Sequence, residues 1–167
     1  MSIRQKQRPQ PLTSEFGFTM IELVIVVIIL GILMTVVATT YRGVRARNRN
    51  NQREANITTL QGSLEDYYAE TSTYPTVSDL NTPSWVTAHL RDTPPSVLQD
   101  PHWSSSDKVC SNDGHSILID HPAANCYSYQ PVSSDGSACN DVGEVCAHYT
   151  LTAELEGGGR FTKSSLN

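Results

Sequence analysis

The sequence predicts an α+β fold in which a long N-terminal α-helix packs on a small antiparallel β-sheet. Three observations carry that expectation. Nineteen uncharged residues run from Leu23 to Tyr41. A helical apolar rhythm continues beyond them, with no proline between Pro11 and Pro75. From residue 73 the chain turns to proline, serine and threonine with short alternating segments, and it holds all four cysteines.

Charge divides the chain in the same way. Of 167 residues, twelve are basic and seventeen acidic, an average that describes one mildly acidic soluble domain. It excludes a disordered acidic tail, a nucleic-acid domain recognised by bulk charge, and a multi-span membrane protein. The distribution is less ordinary. Residues 1–53 carry eight basic residues against Glu15 and Glu22, whereas residues 54–167 carry four against fifteen acids.

The segment LVIVVIILGILMTVVATTY, as a helix rising 1.5 Å per residue, spans about 28 Å, close to a bilayer's hydrocarbon core. It shows no polar residue before Thr35, so it reads as a membrane span. A cleaved secretory signal is the plain alternative, starting at Arg4, Lys6 and Arg8 and ending at Val36-Val37-Ala38. The apolar run is longer than the roughly 7–15 residues of such signals. Glu22 also opposes it, because an unpaired carboxylate inside the apolar stretch 16–41 costs a few kcal/mol or more.

The block Gly17-Phe18-Thr19-Met20-Ile21-Glu22 resembles the class III signal of type IV pilins and type II secretion pseudopilins. There a short basic leader ends in Gly, followed by Phe-Thr-x-x-Glu and a long apolar run. The resemblance implies the pilin fold, cleavage after Gly17 by a prepilin peptidase, and N-methylation of Phe18. It divides the chain into a leader (1–17), a membrane-spanning and filament-core half-helix (18–41), an amphipathic half-helix (42–72) and a globular head (73–167). Cleavage places a positive amine four residues before Glu22. In a helix bundle each Glu22 carboxylate meets the Phe18 amine of a neighbour at low dielectric, and a slipped subunit buries it unpaired. The alternative for Glu22 is a carboxylate snorkelling to the interface.

Ile57, Leu60, Leu64 and Tyr67/Tyr68 recur at three- and four-residue spacing, so one helix is expected from Phe18 to about Ser72, about 80 Å long. Its second half has a single apolar stripe, which should pack on the sheet. Family members often carry a bending proline in the first half; Thr39 stands there, leaving Gly31 as a soft point. Arg42, Arg45, Arg47, Arg49 and Arg53 form a basic collar past the span. They read first as a solvated face touching lipid headgroups, then as partners for acids on neighbouring subunits, and last as nucleic-acid contacts. By the positive-inside count, five basics after the span against three before it favour a cytoplasmic head. The leader and the cysteines favour the opposite orientation. Asn56-Ile57-Thr58 matches a glycosylation sequon, but its helical position makes it a chance match.

In the head, short helical turns are expected at 77–80 and 84–90. Strands are expected at 116–120, 126–132 and 148–155, with an edge strand at 161–163 after the Gly157-Gly158-Gly159 turn. In the 148–155 strand Tyr149, Leu151, Ala153 and Leu155 face inward. No Lys-Ser/Thr follows the glycines, so they form no phosphate loop. Cys110, Cys126, Cys139 and Cys146 contain no C-x-x-C, which disfavours zinc and favours disulfides in an oxidising compartment. Chain proximity favours Cys110–Cys126 with Cys139–Cys146, among three possible pairings. Tyr74-Pro75-Thr76, Asp100-Pro101 with Trp103, Tyr127-x-Tyr129 and the final strand also resemble pilin and major-pseudopilin heads. That likeness brings calcium into view, with Asp135, Asp141 and Glu144 as oxygen ligands; their spacing fits a solvated Asp135-Gly136 turn better. His89, His102, His115, His121 and His148 show no metal-ligand spacing and no G-x-S-x-G occurs, so no enzyme is expected.

The sequence thus reads as a prepilin, a structural subunit of a type IV pilus-like filament serving adhesion, twitching or DNA uptake. Its expected partners are further copies of itself, the peptidase, the membrane, and the platform and ATPase of a pilus machinery. It would pass from the inner membrane, N-terminus in the cytoplasm, to the cell surface. A type II secretion pseudopilin is the alternative, and a non-polymerising membrane-anchored binding domain the second.

Overall fold

The computed structural model describes residues 17–90, 93–103, 110, 117–139 and 143–167, without the side chains of Ala38 and Thr39. The chain forms two compact units, one ending at Tyr41 and one comprising Arg42–Asn167. Helix α1 runs from Met20 to Thr71, 52 residues, and is the one described helix long and apolar enough to cross a membrane. Thr19 opens it: the Glu22 amide donates to the Thr19 hydroxyl at 3.3 Å and the Leu23 amide to the Thr19 carbonyl at 3.2 Å. Thr19-x-x-Glu22 is therefore an N-terminal cap, and the expected start at Phe18 moves to Met20. Ser72, at φ 57°, ends the helix in the left-handed conformation that commonly stops helices.

Val77–Leu80 forms α2, with a capping box between Thr76 and Asp79, and Pro83–His89 forms α3. A 3₁₀ turn at Pro95–Leu98 was not expected; Pro95 in its first turn needs no amide partner there. The strands are β1 (Leu118–Ile119), β2 (Tyr127–Val132), β3 (His148–Glu154) and β4 (Arg160–Ser164), ordered β1-β2-β3-β4. Strands β2, β3 and β4 form the expected antiparallel meander. At the other edge β1 pairs with β2 in parallel, so the sheet is mixed. Parallel neighbours ordinarily need a long crossover. Here β1 has only two residues, and the short segment between Ile119 and Tyr127 suffices to return the chain.

Register fixes which face is buried. Tyr127 lies opposite Ala153, Tyr129 opposite Leu151 and Pro131 opposite Tyr149, and all six side chains are buried. All but Pro131 share one core with Ile57, Leu60 and Leu64 of α1, so the apolar stripe of the helix covers this face as expected. Each such large side chain contributes about 1.5–3 kcal/mol by leaving water. The buried tyrosines keep their hydroxyls satisfied: Tyr129 donates to the Pro75 carbonyl at 2.7 Å and Tyr127 accepts from Asn56 at 3.0 Å. Two details of β3 differ from the alternating pattern. Thr152 is buried as well, its hydroxyl 3.2 Å from that of Thr162 on β4, because β3 is flanked on both sides. Leu155 falls beyond the strand in the turn through Gly157, Gly158 and Gly159, whose φ values of 91°, 98° and 98° suit glycine.

The cysteines pair as Cys110–Cys126 and Cys139–Cys146, all four buried. The second disulfide lies at the end of α1. The Tyr74 amide donates to the Cys146 carbonyl at 2.9 Å, and the Cys146 amide to the Thr73 hydroxyl at 3.0 Å.

Candidate functional site

The N-terminal unit presents its chemistry openly. Gly17 and Phe18 precede the helix and are exposed, as are the apolar side chains from Met20 to Val37. An 18-residue window of this helix is entirely unburied among the described residues, a large exposed apolar surface. Glu22 occupies the first turn, where the exposed amides favour a carboxylate. Leader residues 1–16, including Arg4, Lys6, Arg8 and Glu15, lie outside the described residues.

The arginine collar separates into two groups. Arg49 pairs with Glu156, and Arg53 reaches both Asp100 and Glu156. Arg53 is 1% exposed and donates to Asp100 through Nε and Nη2 at 2.6 and 2.9 Å. It also reaches Asn50 at 2.9 Å and Glu156 at 3.1 Å. The expected solvated or intermolecular roles are therefore corrected for Arg49 and Arg53, which bind the helix to its own head. A signal was present in the sequence: Arg53 lies four residues before Ile57, in phase with Leu60 and Leu64. Burial opposes the Arg53 charge, but the hydrogen bond and attraction of Asp100, followed by those of Glu156, leave its pKa raised. The Arg49 hydrogen bond, against burial and with help from Arg53, holds Glu156 down to about 2. Arg42 and Arg47 remain exposed.

Glu65 is a second junction that the sequence did not disclose. It accepts from Tyr149 at 2.8 Å, Tyr74 at 2.9 Å and the Leu166 amide at 3.2 Å, drawing the C-terminus to α1. Burial pushes Tyr74 up to about 12, with Asn167 opposing and Glu65 adding to the rise. Asn56 is half-buried and donates to Tyr127, which agrees with a chance sequon.

The calcium candidates do not come together among the described residues. Asp135 Oδ1 accepts from the Ser133 hydroxyl, and from the Ser137 amide and hydroxyl at 2.9 and 2.7 Å. Ser133, then Ser137, holds the Asp135 carboxyl down to about 2. This is a hydrogen-bonded turn whose donors already occupy a carboxylate oxygen. Asp141 lies outside the described residues and Glu144 is exposed. Among the described residues no group of three His, Cys, Asp or Glu is placed to hold a metal. His89, His102, His121 and His148 are exposed, with His89 stacked on Trp85 at 4.4 Å; His115 lies outside the described residues.

Comparison with known proteins agrees with this arrangement. A family described as the prokaryotic N-terminal methylation motif matches residues 12–38. The chain is 28% identical over 109 residues to type II secretion system core protein G of Klebsiella pneumoniae, covering 59% of this chain and 76% of that protein. No solved structure matches. With its methylation motif at the head of an apolar helix and a mixed sheet packed on that helix's second half, the chain has a pilin-like α+β fold and is similar to type II secretion core protein G.

Proposed function

We propose that this chain is a pseudopilin of the major type, the repeating subunit of a filament in a type II secretion system. The observation that carries this reading is the 109-residue likeness to core protein G, which is too long to lie within the matched motif at 12–38. It favours the secretion alternative over the pilus subunit expected from the sequence. In this reading a prepilin peptidase removes residues 1–17 and Phe18 becomes the methylated N-terminus. Before assembly the precursor sits in the inner membrane with its N-terminus in the cytoplasm. The two disulfides support a head on the oxidising side of that membrane. Assembly buries the apolar residues from Met20 to Val37 against those of other copies, each Glu22 carboxylate meeting a neighbour's Phe18 amine. The chain acts as structure, and the secretion platform and its ATPase supply the work.

Two measurements on the producing cell test this. Mass spectrometry of the mature chain is expected to find N-methylated Phe18 as its first residue; a retained leader overturns the filament reading. Deleting the gene is expected to stop export of secreted proteins and leave surface pili intact. Loss of pili with export unchanged favours the pilus subunit instead.

A further inference from the structure

Among the described residues beyond the apolar segment, the charged side chains that this fold leaves unused lie on one helix. Among the described residues, Arg49, Arg53, Asp100 and Glu156 form one ion network, and Arg160 pairs with Glu154. Asp120 is paired with His121, while Asp79 and Asp135 are taken up by a cap and a turn. Glu65 accepts from two tyrosines, and Lys163 lies over the Phe161 ring. Arg45 and Glu144 also have partners. Beyond the apolar segment this leaves Arg42, Arg47, Glu54, Asp66 and Glu70, every one on α1.

Their order along the helix is polar, with arginines first and acids last. Asp66 and Glu70 are exposed one turn apart, on a side of α1 that also carries the exposed small residues Ala55, Thr59 and Gly62. Gly43 and Ala46 fall between the directions of Arg42 and Arg47. A Cβ on Gly43 or Gly62 would meet nothing within 4 Å, so packing within the chain does not require either glycine. A mid-helix glycine costs about 1 kcal/mol relative to alanine. Small residues let a second helix approach closely, with long charged side chains flanking the contact.

We infer that a second copy of this chain packs in parallel, its Arg42–Arg47 side against the Asp66–Glu70 side that lies nearly opposite around the helix of the first, displaced by about 24 residues, or about 36 Å of helix. Arg42 of one copy then meets Asp66 of the other, 24 positions along, and Arg47 meets Glu70, 23 positions along. This displacement brings both arginines level with an acid along the axis, within one residue's rise. Pairing to Glu54 needs displacements of 12 or 7 residues and engages one arginine at a time. Complementary charge of this kind fixes register and excludes slipped arrangements, because like charges then face each other. The inference rests on the filament reading above and assigns it an axial stagger.

The test uses the full chain in cells that carry its assembly machinery, with sheared filaments quantified and head oxidation checked on a non-reducing gel. Arg42→Glu with Arg47→Glu, and separately Asp66→Arg with Glu70→Arg, are each expected to lower filament yield roughly tenfold or more while the disulfides still form. Combining all four substitutions restores complementarity and is expected to recover most of the yield. Wild-type yield from either pair alone, or a fourfold variant no better than the pairs, overturns the stagger. If wild-type filaments form and Glu22→Ala abolishes them while the charge reversals do not, the filament reading stands and only this inference falls. A wild-type chain that never polymerises removes both.

Discussion

Arg53 and Asp100, forty-seven residues apart in the chain, meet through two hydrogen bonds of 2.6 and 2.9 Å, each side chain 1% exposed. This pair ties the head to α1 directly before the apolar stripe at Ile57. Replacing Arg53 by alanine leaves a buried carboxylate without its counter-ion. The expected loss is about 3–5 kcal/mol of unfolding free energy, read from denaturant unfolding of the full chain in detergent. Replacing Arg53 and Asp100 together with leucine and asparagine should cost less than Arg53→Ala, because the stranded charge is then absent. A loss below about 1 kcal/mol for Arg53→Ala would refute the buried ion pair, since it is the size expected of an exposed one.

Glu156 supplies a pH dependence with a defined sign. Its folded pKa is depressed from 4.5 to about 2, chiefly by the Arg49 hydrogen bond. A depressed carboxylate stabilises the fold above its unfolded pKa and loses that contribution as pH falls through its folded pKa. Stability should therefore decline from about pH 4.5 to about pH 2. Unfolding midpoints measured across that range should fall more steeply in the wild type than in Glu156→Gln. Parallel curves would exclude this carboxylate as the source.

For Glu22, cleavage and insertion should be separable from assembly. Glu22→Ala should yield a membrane-inserted chain beginning at Phe18, with few or no filaments. The mature mass and the sheared-filament fraction measure the two steps independently. Normal filament yield would show that the carboxylate does not set register.

Long-period features were legible without coordinates. The span from Leu23 to Tyr41, the Gly17–Glu22 block, the stripe through Ile57, Leu60 and Leu64, and three of the four strands all depend on residues close together in the chain. Such residues report local geometry directly: 3.6-residue periodicity for a helix, alternation for a strand, and apolar length for a bilayer. The two short helices were legible for the same reason, through Thr76 and Pro83 at their starts. The weakest reading was β1, where two residues offer almost no alternation to detect.

The sequence by itself determined that this chain carries an N-terminal methylation motif, an apolar helix and a cysteine-bearing α+β head. Only the tertiary structure decided how the charges are used. A row of five arginines looks alike in one dimension, and nothing local distinguishes Arg53 from Arg47 except its phase with a distant core. Folding brings Asp100 and Glu156 to that phase and consumes Arg49 and Arg53. Arg42 and Arg47 are left facing outward, because no described carboxylate of the same chain reaches them. The parallel β1 edge and the Glu65 junction arose in the same way, from contacts between distant residues whose partners no spacing rule names.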